Sequence, residues 1–145
     1  MCNTANTFEL TSFPINPGLF STFPFLSQIA KNFTLYEMEG LIFEFKPLSG
    51  EMGQGSNSLG KVILATNYDP EADDFASAVE MENYDYANSA KPSEHQLHGV
   101  ETHPDQQSTK MQFVRTGHTT RDLIFTDIGK FQIAIDHIPD PGIVG

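Results

Sequence analysis

Residues Ser12–Pro47 (SFPINPGLFSTFPFLSQIAKNFTLYEMEGLIFEFKP) constrain this chain more than any other stretch, because seven of its twelve Phe fall there. A core is expected to nucleate around so much clustered apolar surface. Asn16-Pro17-Gly18 is a turn signal, since Pro fixes φ and Gly accepts a positive one. Pro24 suits a first helical turn, where its missing N–H costs nothing. Leu26, Ile29, Ala30 and Phe33 recur at i, i+3, i+4 and i+7, which predicts an amphipathic helix of about two and a half turns. So short a helix must pack on a sheet. The following segment reads as one long strand, Tyr36–Lys46. Tyr36 and Met38 share one parity there, whereas Leu41, Phe43 and Phe45 share the other. Either a bulge at Glu39-Gly40 returns the apolar face to the core, or both faces are partly buried.

The flanking chain reads as short strands separated by turns. Phe8, Leu10 and Ser12 alternate with Glu9 and Thr11, a half-buried strand ending at Phe13-Pro14. Leu48–Leu59 is rich in Gly and Ser and reads as an exposed loop. Lys61–Asn67 (KVILATN) is nearly all apolar, the pattern of a central strand. Asp69-Pro70 ends it, and Asp73 or Asp74 is expected to cap a short helix carrying Phe75, Val79 and Met81 or Glu82. Asn83–Pro92 is irregular, Glu94–Thr102 a weaker strand interrupted by Gly99, and His103–Thr109 a polar loop. Met111–Thr116 is a further strand, and Leu123–Phe125 leads into the last one, Lys130–Ile138. A chain of 145 residues with this pattern, nine Pro and eleven Gly is one all-β domain, a sandwich of about six visible strands with two short helices in its connections.

Charge excludes several partners. Nineteen acidic against eight basic residues give a formal charge of −11. Such a surface repels nucleic acid and anionic membrane, so contact with a genome would be made by something outside this sequence. The single Cys2 cannot form an internal disulfide. No apolar run approaches the ~20 residues of a membrane span, and the N-terminus MCNTANTF has neither a basic nor an apolar signal-peptide region. A soluble chain, intracellular at synthesis, is expected.

Catalytic chemistry finds little footing. Cys2 is isolated and no Ser lies in a Gly-x-Ser-x-Gly elbow. Gly50, Gly53 and Gly55 lack the Lys-Ser/Thr pair of a phosphate cradle. His95 and His98 lie three apart on an expected strand and so point to opposite faces, a poor arrangement for one metal ion. The missing His-x-His disfavours a cupin-type metal enzyme. Lys110, Arg115 and Arg121 form the nearest thing to a basic patch, read as a solvated face or an intersubunit contact.

Several segments share a family likeness. Phe13–Gly18 (FPINPG), Phe23–Ala30 (FPFLSQIA), Leu41–Phe45 (LIFEF), Val62–Asp69 (VILATNYD), Phe113–Gly117 (FVRTG) and Asp127–Asp136 (DIGKFQIAID) follow in the order of the shell domain of tombusvirus-type capsid proteins, which the chain resembles over almost its whole length. Met81–Glu101 looks more like the variant carried by small circular single-stranded DNA viruses. The resemblance implies an eight-stranded jelly roll, two four-stranded sheets face to face, that self-assembles into an icosahedral virion shell inside a host cell, without catalysis. Phe8–Pro14 would be strand C, Leu35–Pro47 D, Lys61–Asn67 E, Glu94–Thr102 F, Met111–Thr116 G and Lys130–Ile138 H. The family's first strand and the basic arm before it have no counterpart ahead of Phe8, and the last strand would begin only at Gly142–Gly145. A fragment cut at both ends is therefore expected, with C, H, E and F complete, D and G left as a pair, and the Phe-rich face poorly covered.

The resemblance also implies a cation. Relatives carry an Asp-x-Asp at subunit contacts that binds calcium, and Asn67, Asp69, Asp73 and Asp74 occupy that stretch here, with Asn67 an uncharged oxygen donor. The simpler alternative, favoured by residue type, is turn formation at Asp69-Pro70 and helix capping by Asp73 or Asp74. A second function class stays open: a monomeric ligand- or glycan-binding β-sandwich module.

Overall fold

The computed structural model describes residues 8–48, 60–103, 105, 107 and 109–136. Its strands are β1 (Glu9–Pro14), β2 (Leu35–Tyr36), β3 (Leu41–Phe45), β4 (Lys61–Asn67), β5 (Asn88–Ala90), β6 (Gln96–Val100), β7 (Gln112–Phe113) and β8 (Lys130–Asp136). Two short helices, α1 (Leu26–Ala30) and α2 (Ala78–Glu82), lie in the connections. A 3-10 turn covers Leu123–Phe125, where the apolar run suggested a strand.

One four-stranded antiparallel sheet runs in the order β1-β8-β4-β5, and two two-stranded pairs, β2-β7 and β3-β6, complete the sandwich. β8 sits between β1 and β4, with Phe131 opposite Phe13 on one side and Thr66 on the other. Pro14 lacks an N–H and is found on the edge strand β1, where that loss is tolerated.

The central strand β4 is buried on both faces, as its apolar run predicts. Val62 and Leu64 face a cluster with Phe131, Val100, Ile15 and Ile128, onto which Phe13, Tyr36, Met38, Leu41, Phe43 and Phe45 pack. Ile63 and Ala65 face the other way, into a cluster with Phe75, Met81 and Ala134. The first cluster is bound by aromatic stacking: Phe43 lies on Phe131 with ring centres 4.0 Å apart. The segment around α2 thus forms a third layer over the outer face of the four-stranded sheet.

Four expectations change. The long strand over 35–47 is two strands in different pairs, broken at residues 37–40. The parity change is nevertheless real, because Tyr36, Met38, Leu41, Phe43 and Phe45 all reach the same cluster. The fourth place in the large sheet belongs to β5, from a segment read as irregular, whereas β6 pairs with β3 from Leu41↔Val100 to Phe45↔Gln96. The cap of α2 is Ser77, not Asp73 or Asp74: its hydroxyl accepts from the Glu80 N–H at 3.2 Å, and Glu80 reaches back to the Ala76 N–H at 2.9 Å. That is a capping box displaced by one residue.

The stripe on α1 is the fourth. Ala30 is buried, but Leu26, Ile29 and Phe33 are 40%, 49% and 64% exposed. Five residues make too short a helix to cover the sheet, so its apolar face borders an open groove. Most of the expected exposed loop over 48–59 lies outside the described residues, as does the end of the last strand beyond Asp136.

Candidate functional site

The oxygen-rich loop after β4 is built by that strand's last residue. Asn67 is buried, on the face of β4 that carries Ile63 and Ala65. Its Oδ1 accepts from the Asp69 N–H at 3.0 Å and from the Tyr84 hydroxyl at 3.2 Å. Asp69 is exposed, and its Oδ1 accepts from the Glu71 N–H at 3.0 Å, the side-chain turn expected at Asp69-Pro70. Asp74 accepts from Lys130 Nζ at 2.8 Å and from Gln132 Nε2 at 2.7 Å. Asp73 is exposed.

The four do not gather into a cation cage within one chain. Asn67 and Asp74 are engaged by internal donors, one of them an ammonium, and Asp69 and Asp73 are the carboxylates left at the surface. Among the described residues no group of three or more His, Cys, Asp or Glu is placed to hold a metal ion. Calcium needs several converging oxygens, so a site here would have to borrow ligands from another molecule.

The histidines divide as their spacing predicts. His95 is exposed and meets Glu44 at 2.6 Å, a hydrogen bond that holds the Glu44 carboxyl below its usual range. His98 is fully buried on the opposite face, with Nε2 2.8 Å from Thr66 Oγ1 and Nδ1 3.0 Å from Asn88 Oδ1. Asn88 Oδ1 can only accept, so Nδ1 carries a proton, and in the neutral ring that burial favours Nε2 accepts from the Thr66 hydroxyl. Burial pushes its pKa down to about 4. His103 lies in a surface turn 3.4 Å from Asp105.

The three basic residues read as a patch are separate. Lys110 pairs with Glu37 at 3.7 Å, and Arg121 stands over the Phe113 ring at 5.0 Å. Arg115 is drawn inward: its Nε and a terminal nitrogen donate to the two oxygens of buried Asp127 at 2.7 and 2.5 Å. A forked pair of this kind is a structural clamp.

That clamp belongs to a buried polar knot that sequence reasoning missed. Asn16 is wholly buried. Its Nδ2 donates to the carbonyl oxygens of Phe113 and Thr126 at 3.0 and 2.7 Å and lies 3.3 Å from Asp127 Oδ1. Its Oδ1 accepts from the N–H groups of Gly18 and Arg115. The Tyr36 hydroxyl donates to Thr126 O at 2.7 Å. Burial first, and then the Asp127 charge, raise that phenol far above its ordinary range. Gly18 is required by closeness, not by φ: a Cβ there would collide with the Arg115 carbonyl oxygen and the Val114 side chain. The available signal was Asn16, Arg115 and Asp127 all falling inside the quoted family segments.

Two layers of antiparallel strands, with short helices in the crossovers and polar side chains spent on holding loops together, define a structural jelly-roll module. The chain belongs to the viral coat protein (S domain) family, whose family model matches residues 2–144. A structure of Cucumber Necrosis Virus is similar with a TM-score of 0.79 at 24% identity, covering 95% of this chain and 46% of that one. Cucumber Leaf Spot Virus gives 0.77 at 24% identity, covering 93% and 45%. Tobacco Necrosis Virus gives 0.75 at 14% identity, covering 98% and 83%. The chain therefore spans less than half the length of the two cucumber-virus chains. Comparison with curated protein sequences finds no match.

Proposed function

We propose that this chain is a shell-forming capsid subunit that self-associates into a virion through many repeated, individually modest contacts, with no catalytic role. The observation that carries this is the coat-protein family match, which runs through residues 2–144. Repeated interfaces between identical subunits close by symmetry, so none needs to be strong alone. With a charge of −11, contacts to a packaged genome would come from residues outside this chain. The wording of Met81–Glu101 supports a single-stranded DNA virus as the source. Among the described residues no helix is long and apolar enough to cross a membrane.

Electron microscopy and sedimentation of the purified chain test the central reading. Shells or large oligomers are expected. A chain that stays monomeric at every concentration and binds glycans would sink it and favour the ligand-binding module.

We also propose that calcium, where it acts, is shared between subunits, with Asp69 and Asp73 as this chain's share. Their exposure next to a turn supports this. Assembled particles should swell on chelation at neutral pH and Asp69→Ala particles should swell without it. Equal response of both particles to chelator removes calcium from the account.

A further inference from the structure

We propose that the groove along α1 is a contact between copies of this chain, closed by the same face of a second copy. This rests on the self-association proposed above and names the surface that carries it. The groove, about 260 Å3, is lined by Leu26, Ile29 and Phe33 of the α1 region, Leu35 and Met38 beside β2, and Val114.

Three observations select a second copy. First, residues 10–36 carry one charge, Lys31, in a chain whose total is −11. Two copies repel each other over most approaches, whereas the groove brings a single carboxylate from each copy, Glu37, which already pairs with Lys110 at 3.7 Å. Second, six of the fourteen exposed large hydrophobic side chains among the described residues lie between positions 20 and 35: Phe20, Phe25, Leu26, Ile29, Phe33 and Leu35, each 40–79% exposed. Four of them, Leu26, Ile29, Phe33 and Leu35, line the groove itself. Exposed apolar side chains gathered in this way mark an interaction site, and they would form the apolar centre of a contact of ~800 Å2 per partner. Third, a small ligand would need a polar anchor in the groove. The Tyr36 hydroxyl is already bonded to Thr126 O, and Glu37 at the rim is paired with Lys110.

Sedimentation velocity tests the inference on the purified chain, on Ile29→Glu with Phe33→Glu, and on Val79→Glu as a control. Val79 is 68% exposed on α2, beyond the opposite face of the four-stranded sheet. The wild-type chain is expected to associate with rising concentration, and more tightly at high salt, because salt screens the −11 repulsion. The groove variant should associate at least about tenfold more weakly, and the control like the wild type. If circular dichroism shows the groove variant unfolded, Ile29→Ser with Phe33→Ser replaces it. Association of the groove variant equal to wild type overturns the inference, and so does a monomeric wild type. A photo-crosslinker at position 33 should join two copies; crosslinks confined to one chain would show the groove filled from within and also overturn it. Normal shells from the groove variant would reject this interface and leave the capsid reading standing. A wild-type chain that dimerises through the groove but forms no shells would do the reverse.

Discussion

At the scale of single residues, the molecule spends its buried polar groups on geometry. Asn16 holds two carbonyls and two N–H groups from separate segments in one place. Asn16→Ala leaves those groups buried without partners and should destabilise the fold by about 3 kcal/mol, read from urea unfolding. Gly18→Ala should be at least as damaging, because the added Cβ meets backbone. His98 makes a different prediction. Its folded pKa of about 4 lies below the ordinary value near 6.5. Between those pH values the unfolded chain binds more protons, so stability is full above pH 6.5 and falls as pH drops toward 4, by roughly 3 kcal/mol. Thermal melts of His98→Gln across that window should show a shallower pH dependence than the wild type; an unchanged slope would assign the acid sensitivity to carboxylates. The opposite facing of His95 and His98 was legible from strand parity. The destination of Asn16, Arg115 and Asp127 was not, because a three-segment knot leaves no local period.

At the scale of elements, local chemistry decides where structure starts and stops. Ser77 and Glu80 cap α2 reciprocally around its first turn. Ser77→Ala should cost about 1 kcal/mol, measured by chemical denaturation, while Asp73→Ala should leave α2 intact. Sequence reading placed the cap three or four residues too early because Asp and Ser are both good caps, and only the fold reveals that Asp74 is claimed by Lys130. The break between β2 and β3 was readable as a parity change at Glu39-Gly40. What it could not reveal was that the two halves join different partners, since pairing is set by distant segments, Gln112–Phe113 for one half and Gln96–Val100 for the other. β5 was missed for a similar reason: Asn-Ser-Ala has no strand pattern and is recruited by the edge of β4.

At the scale of the whole molecule, two layers of apolar contact converge on β4 and β8, the inner strands of the one sheet with four members. Amide hydrogen exchange should therefore be slowest in β4 and β8 and fastest in the two-residue strands β2 and β7. Comparable protection in both places would contradict the layered account. All-β character and the central position of β4 were legible because a seven-residue apolar run has few other uses. Exposure of the Phe-rich face was expected from strands read as missing; among the described residues Phe20, Phe25 and Phe33 are indeed exposed, beside a helix of only five residues.

The double burial of β4 also sets rules for how its sequence can change. Ile63 and Leu64 are adjacent in the chain yet report to different clusters. Substitutions at Leu64 should be non-additive with those at Phe43, and substitutions at Ile63 with those at Met81, whereas the two neighbours should add almost independently. One strand then carries two interleaved texts, each edited by a different set of residues, and compensating changes should be sought across the layers and not along the chain.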